Sequence, residues 1–172
     1  PGPAARSGYA PRLPFATRFV GVDRFHELVR RAARGGWRAL PFPDRIIAVA
    51  RALEGTRYKG FTLDIDDRIE EPSVNLEGLD CWTLFEISVG FARMLTLKPA
   101  GAQPDDLLRM VELDRYRGGR CTGDYLSRLH YLADWFVDNA RRGLIIDLTR
   151  ELGAERIRRR CSEMTHLWRS YR

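Results

Sequence analysis

Cys81 is the residue best placed to do chemistry. It lies in Asn75-Leu76-Glu77-Gly78-Leu79-Asp80-Cys81-Trp82-Thr83-Leu84-Phe85-Glu86, where a polar turn runs into a long apolar segment. Asp80 is a good N-cap for a helix that starts there, which puts Cys81 at the first helical position. Unpaired N–H groups and the positive end of the helix dipole favour thiolate over thiol at that position. The plainer reading is a small apolar residue, the role of most free cysteines. A second candidate is Tyr58, isolated in the glycine-bounded segment from Gly55 to Gly60. Glycines at both ends allow close backbone approach, so Tyr58 either donates a hydrogen bond beside Cys81 or covers the core. A third is the pair His130 and Asp134, at i and i+4 in the segment Ser127–Asn139, which reads as one helix with Leu129, Leu132, Ala133, Phe136 and Val137 as its core stripe. The carboxylate there would either orient the ring and raise its pKa or form a structural hydrogen bond. His26 and His166 have no neighbour in sequence that would orient an imidazole.

The elements that must position these residues are mainly helices. After Asp80, the residues Trp82, Leu84, Phe85, Ile87, Val89, Phe91, Ala92, Met94 and Leu95 surround nearly the whole helical wheel, so the cysteine helix is expected inside the domain. Asp23 opens an amphipathic helix with Phe25, Leu28, Val29 and Ala32 on one face, closed by Gly35-Gly36. A second helix follows Pro43-Asp44 with Ile46, Ile47, Ala50 and Leu53 inward, and a third starts at Pro104-Asp105-Asp106 and carries Leu107, Leu108, Val111 and Leu113. Tyr116 to Arg120 reads as a turn, Asp64 to Glu71 as a solvated acidic loop, and Leu144-Ile145-Ile146-Asp147-Leu148 as the best strand candidate. Residues 1–22 read as a flexible leader and 23–172 as one domain.

Composition narrows the partners. Lys and Arg total 29 against 23 Asp and Glu, a net charge of +6, which favours anionic partners. The arginines are spread along helices, with a local run at Arg156, Arg158, Arg159 and Arg160, and no nucleic-acid-binding signature is present; a solvated helix face is the better reading, and nucleic acid is not an expected partner. No apolar run reaches the ~20 residues of a membrane span. The three cysteines, Cys81, Cys121 and Cys161, cannot all pair within the chain, which argues against a disulfide scaffold. Neither a metal site nor a cofactor is expected, since metal-ligand spacings are absent.

Taken in order, Gly55-Thr56-Arg57-Tyr58, Val74-Asn75-Leu76, Asp80-Cys81-x-Thr83-x-x-Glu86, Tyr116-Arg117-x-Gly119 and Ser127-Arg128-Leu129-His130-Tyr131-x-x-Asp134-Trp135 resemble the NlpC-like cysteine amidases. These are papain-like enzymes that cut the N-acetylmuramoyl-L-alanine bond of peptidoglycan fragments. The resemblance spans about residues 44 to 171. It implies that Cys81 attacks the amide carbonyl and forms a thioester, that Tyr58 helps bind the oxyanion, and that Arg128, His130, Asp134 and Trp135 support the site or its sugar-binding wall. It also implies a periplasmic or cell-envelope location.

The chain departs from the family pattern in one respect. Papain-like amidases draw their general base from a histidine on a strand downstream of the cysteine helix, and neither such a strand nor such a histidine motif is legible here. The expected fold is therefore α+β and papain-like (NlpC-type), mostly its helical half, with most of the sheet half absent. Either a complementary polypeptide supplies the rest of the fold, or His130 serves as base. The competing reading is a non-catalytic module whose basic face binds an anionic partner.

Overall fold

The helix headed by Cys81, α4 (Cys81–Leu97), forms the axis of the structure. Ile87, Val89, Phe91, Ala92, Met94 and Leu95 are all buried, as a helix apolar on nearly every side requires. The structure is a computed structural model that describes residues 12–98, 100–148 and 152 of the chain. α3 (Phe42–Ala52) and α5 (Pro104–Arg115) pack along α4. α2 (Val22–Arg34) buries Phe25, Leu28 and Ala32 in the same core, and Phe25 meets Phe91 edge-on with ring centroids 5.9 Å apart. α6 (Leu132–Arg141) adds to α5, tied by the Asn139 side-chain amide, which donates to the carbonyl of Asp114 at 2.9 Å. The fold is mostly helical. Among the described residues its sheet is a single parallel pair, in which β1 (Phe19–Val20) faces β2 (Val74–Asn75) in the register Phe19 to Val74 and Val20 to Asn75. No helix among the described residues is long and apolar enough to cross a membrane.

Several expectations need correction. The leader does not extend to residue 22, because α1 (Phe15–Arg18) and β1 are built into the fold and Phe19 is buried against Phe25. The acidic loop is not fully solvated. Glu71 accepts the backbone N–H groups of Arg12 and Leu13 and pairs with Arg18 at 3.3 Å, while Glu70 accepts the Tyr116 hydroxyl at 2.6 Å and pairs with Arg128 at 3.4 Å. These carboxylates are buried because each has donors to satisfy it. The inward face of α3 is Arg45, Val49 and Leu53, and Ile47 is exposed. Arg45 occupies the interior because its guanidinium donates to the carbonyls of Trp37, Arg38, Leu40 and Ala92. Leu144–Leu148 is a turn and extended coil rather than a strand: Ile146 and Leu148 are exposed, and among the described residues no sheet edge lies alongside for them to join.

Segment 127–139 is not one helix. Arg128 is extended and bridges Tyr116, and the N–H of Leu129 donates to the carbonyl of Arg115. The buried Arg128 must reach Asp64 and Glu70, which holds this stretch against the end of α5. When α6 finally starts, Trp135 and Asn139 face inward; of the expected core stripe Leu129 is buried, and Leu132, Ala133, Phe136 and Val137 are exposed.

The helices are joined across the core by an ion pair. Glu86 on α4 meets Arg115 on α5 at 3.0 Å, both almost without solvent, and Arg115 also donates to the carbonyl of Ser73 at 2.8 Å. Burial pushes the Glu86 carboxyl above its usual range, opposed by the adjacent guanidinium. Removing one member of such a pair leaves the other charge buried and uncompensated, at a cost of about 3–5 kcal/mol. Glu86→Ala is therefore expected to lower unfolding stability by about that much in a denaturant titration; a loss below about 1 kcal/mol would show that the pair is not a main structural tie.

Candidate active site

Cys81 is the first residue of α4 and is exposed. Its position is fixed by a reciprocal cap. Asp80 Oδ1 accepts the Thr83 N–H at 2.7 Å, and Thr83 Oγ1 accepts the Asp80 N–H at 2.9 Å. With the Thr83 and Leu84 amides taken by Asp80, the first-turn amides left for an incoming oxygen are those of Cys81 and Trp82. The approach to this helix start is also fixed: β2 ends at Asn75, whose Oδ1 accepts the N–H groups of Glu77 and Gly78 at 2.9 and 3.0 Å, and Leu79 follows.

Leu79 is where Tyr58 enters. The two residues form a parallel bridge, with the Lys59 N–H donating to the Leu79 carbonyl at 3.0 Å and the Leu79 N–H donating to the Arg57 carbonyl at 3.1 Å. The backbone carrying Tyr58 therefore runs beside the backbone that leads into Cys81. Tyr58 is 79 % exposed, so it does not cover the core, and its hydroxyl is open to a ligand.

The other expected residues lie apart from Cys81. His130 precedes α6 and stacks on Tyr125 at 4.1 Å, and its Nε2 lies 2.8 Å from the Tyr125 carbonyl. A carbonyl only accepts, so this bond assigns the proton to Nε2 and the lone pair to Nδ1. The contact expected between His130 and Asp134 is not formed, because the helix starts too late to place them one turn apart; Asp134 instead faces Arg117 at 3.6 Å. Arg128 is held by Asp64 at 2.6 Å and lies over the Tyr125 ring at 5.1 Å. Trp135 is 1 % exposed and sits within ring contact of Trp82, Phe85 and Phe136. Arg128 and Trp135 thus stand behind the surface rather than on it. His166 and Cys161 lie outside the described residues.

Sequence reasoning missed two neighbours of Cys81 as surface groups. Phe85 is 38 % exposed and Trp82 is half-buried, so the first turn of α4 has an open aromatic side. The hydrophobic wheel hides this, because it is nearly full and points in no single direction. The turn expected from Asn75 to Gly78 is formed, closed by the Asn75 side chain. Among the described residues, no three His, Cys, Asp or Glu side chains gather as metal ligands would.

Part of the fold is similar to that of solved structures, amidases among them. A crystal structure of an N-acetylmuramoyl-L-alanine amidase from Bacteroides uniformis matches with 28% identity and a TM-score of 0.51, over 59% of this chain and 41% of that one. A candidate xylanase from Bacteroides fragilis matches with 35% identity and a TM-score of 0.50, over 60% of this chain and 43% of the other. The chain thus aligns with about two fifths of the length of these structures. No curated protein matches it. The AmiA-like family, described as N-acetylmuramoyl-L-alanine amidase-like, matches residues 48–169, and the chain belongs to that family.

Burial, reinforced by the positive Arg128, pushes the pKa of His130 below its ordinary 6.5, against the opposing pull of the Tyr125 carbonyl. The neutral ring is the form the fold prefers. Its contribution to stability is present above the ordinary histidine value and is lost as pH falls from there toward the lowered one, where the unfolded chain binds the proton first. Comparing wild type with His130→Gln by thermal unfolding at about pH 7.5 and about pH 5.5 should show the wild type losing ground to the variant at the lower pH; a constant difference would contradict a buried neutral ring.

Proposed function

We propose that the chain is the nucleophile-bearing part of a cysteine amidase that hydrolyses the N-acetylmuramoyl-L-alanine bond of peptidoglycan fragments in the cell envelope. The observation that carries this reading is the pairing of an exposed Cys81 at the capped start of α4 with the Tyr58 segment bridged to Leu79. Membership of the amidase-like family supplies the substrate class. Cys81 Sγ attacks the carbonyl carbon of the muramoyl lactyl amide, and the tetrahedral oxyanion is held by the first-turn amides and the Tyr58 hydroxyl. The carbon–nitrogen bond breaks and the stem peptide leaves as a protonated amine. Water then hydrolyses the thioester, releasing the muramoyl carboxylate and restoring the thiol.

The general base belongs, in this reading, outside the described residues. His130 is committed to Tyr125 rather than to Cys81, and the solved relatives are more than twice the aligned length. A papain-like whole, completed by polypeptide that also packs on the exposed apolar face of Leu132, Phe136 and Val137, accounts for both facts. Arg128, Asp134 and Trp135 act from behind, holding the ground on which the sugar rests.

The test is release of stem peptide from a muramoyl dipeptide, followed by mass spectrometry. Assayed together with the polypeptide that completes the fold, the wild-type protein should release it, and Cys81→Ala should lose at least about a thousand-fold in rate with the fold intact. Equal release by both proteins, or none by either while Cys81 remains accessible to alkylation, contradicts the proposal.

A further inference from the structure

We infer that Gly78 is a positioning residue that sets Tyr58 in place beside Cys81, an inference that rests on the function proposed above. Gly78 is buried, and its backbone does not need glycine, since it is not among the residues with positive φ. The requirement is steric. A Cβ built on Gly78 would lie 2.7 Å from Lys59 Cβ, 2.9 Å from its Cδ and 3.3 Å from its Cγ. Lys59 Cβ cannot swing aside as the end of a long side chain can, because it moves only with its own backbone. Any side chain at 78 therefore pushes the segment 57–59 outward by about 1 Å to reach ordinary contact distance.

That segment is the one that carries Tyr58. Besides the bridge bonds between Lys59, Leu79 and Arg57, Arg57 Nε donates to the carbonyl of Glu77 at 3.2 Å. The Asn75 carboxamide holds the Gly78 amide from the other side. Gly78 is thus clasped between the turn that leads to Cys81 and the segment that bears Tyr58, and its missing side chain is what lets the two meet. Cys81 itself is placed separately by Asp80 and Thr83, so widening the clasp moves the phenol without moving the thiol.

The experiment compares wild type, Gly78→Ala and the double variant Lys59→Gly/Gly78→Ala, which removes the clashing Cβ from the opposite side. Hydrogen exchange reads the clasp independently of activity. The amides of Lys59 and Leu79 should lose protection in Gly78→Ala and regain it in the double variant, while α4 amides stay protected. On the muramoyl dipeptide, kcat should fall about a hundred-fold in Gly78→Ala and recover in the double variant, with the rate of Cys81 alkylation equal in all three. Unchanged exchange in Gly78→Ala, a kcat loss that the double variant does not restore, or loosened exchange with undiminished kcat overturns the inference. If the wild type, assayed with the polypeptide that completes the fold, releases no peptide, the amidase reading fails, and the exchange comparison still decides whether Gly78 sets the Tyr58 segment.

Discussion

The buried pair of Glu86 and Arg115 is the constraint on which the rest of the structure depends. Two charges without solvent are tolerable only when each faces a partner of opposite sign. Arg115 meets this by reaching both Glu86 on α4 and the Ser73 carbonyl just before β2. One guanidinium thereby fixes three things relative to each other: the Cys81 helix, the helix beside it and the strand that leads back toward Cys81. Around this pair the end of α5 collects further buried polar contacts, with Asp114 pairing Arg93 and Tyr116 donating to Glu70. The apolar contacts of α4 supply the drive to collapse; the polar contacts select which collapsed arrangement forms.

The candidate site is assembled from two backbones anchored independently. The Asp80 and Thr83 cap fixes Cys81 at the start of a helix that cannot shift in the core. The Tyr58 segment is anchored to the turn before that helix through Leu79 and the close approach at Gly78. A thiol on a helix end and a phenol on a neighbouring segment are the two features on which the proposed chemistry rests. The exposed aromatic side of the first turn and the apolar face of α6 adjoin the same aromatic cluster.

Local chemistry makes part of this arrangement legible in the sequence. Asp80 as cap, Cys81 as first helical residue, the burial of most of α4 and the amphipathic face of α2 all follow from side chains within one or two turns of each other. What is not legible depends on partners distant in sequence. Glu70 and Glu71 read as solvated because the arginines and amides that hold them come from residues 12–18 and 128. The stretch from Arg128 to His130 reads as helix because its periodicity is helical, but the long-range pull of Asp64 and Glu70 on Arg128 outweighs propensity there. The outward stripe of α6 reads as core because apolar spacing reveals a face, not whether anything covers it. Leu144–Leu148 fails as a strand for the related reason that β-propensity needs a sheet to join.

The most direct test of the account is the relative reactivity of the two described cysteines toward iodoacetamide at neutral pH, resolved by peptide mapping. Cys121 is buried, its thiol sits 3.2 Å from the Glu70 carbonyl, and burial pushes its pKa up to about 11, so it should remain unlabelled until the protein unfolds. Cys81 should be alkylated faster than the cysteine of an unstructured peptide of the same local sequence. Labelling of Cys81 no faster than that peptide would contradict the claim that the start of α4 makes it a nucleophile.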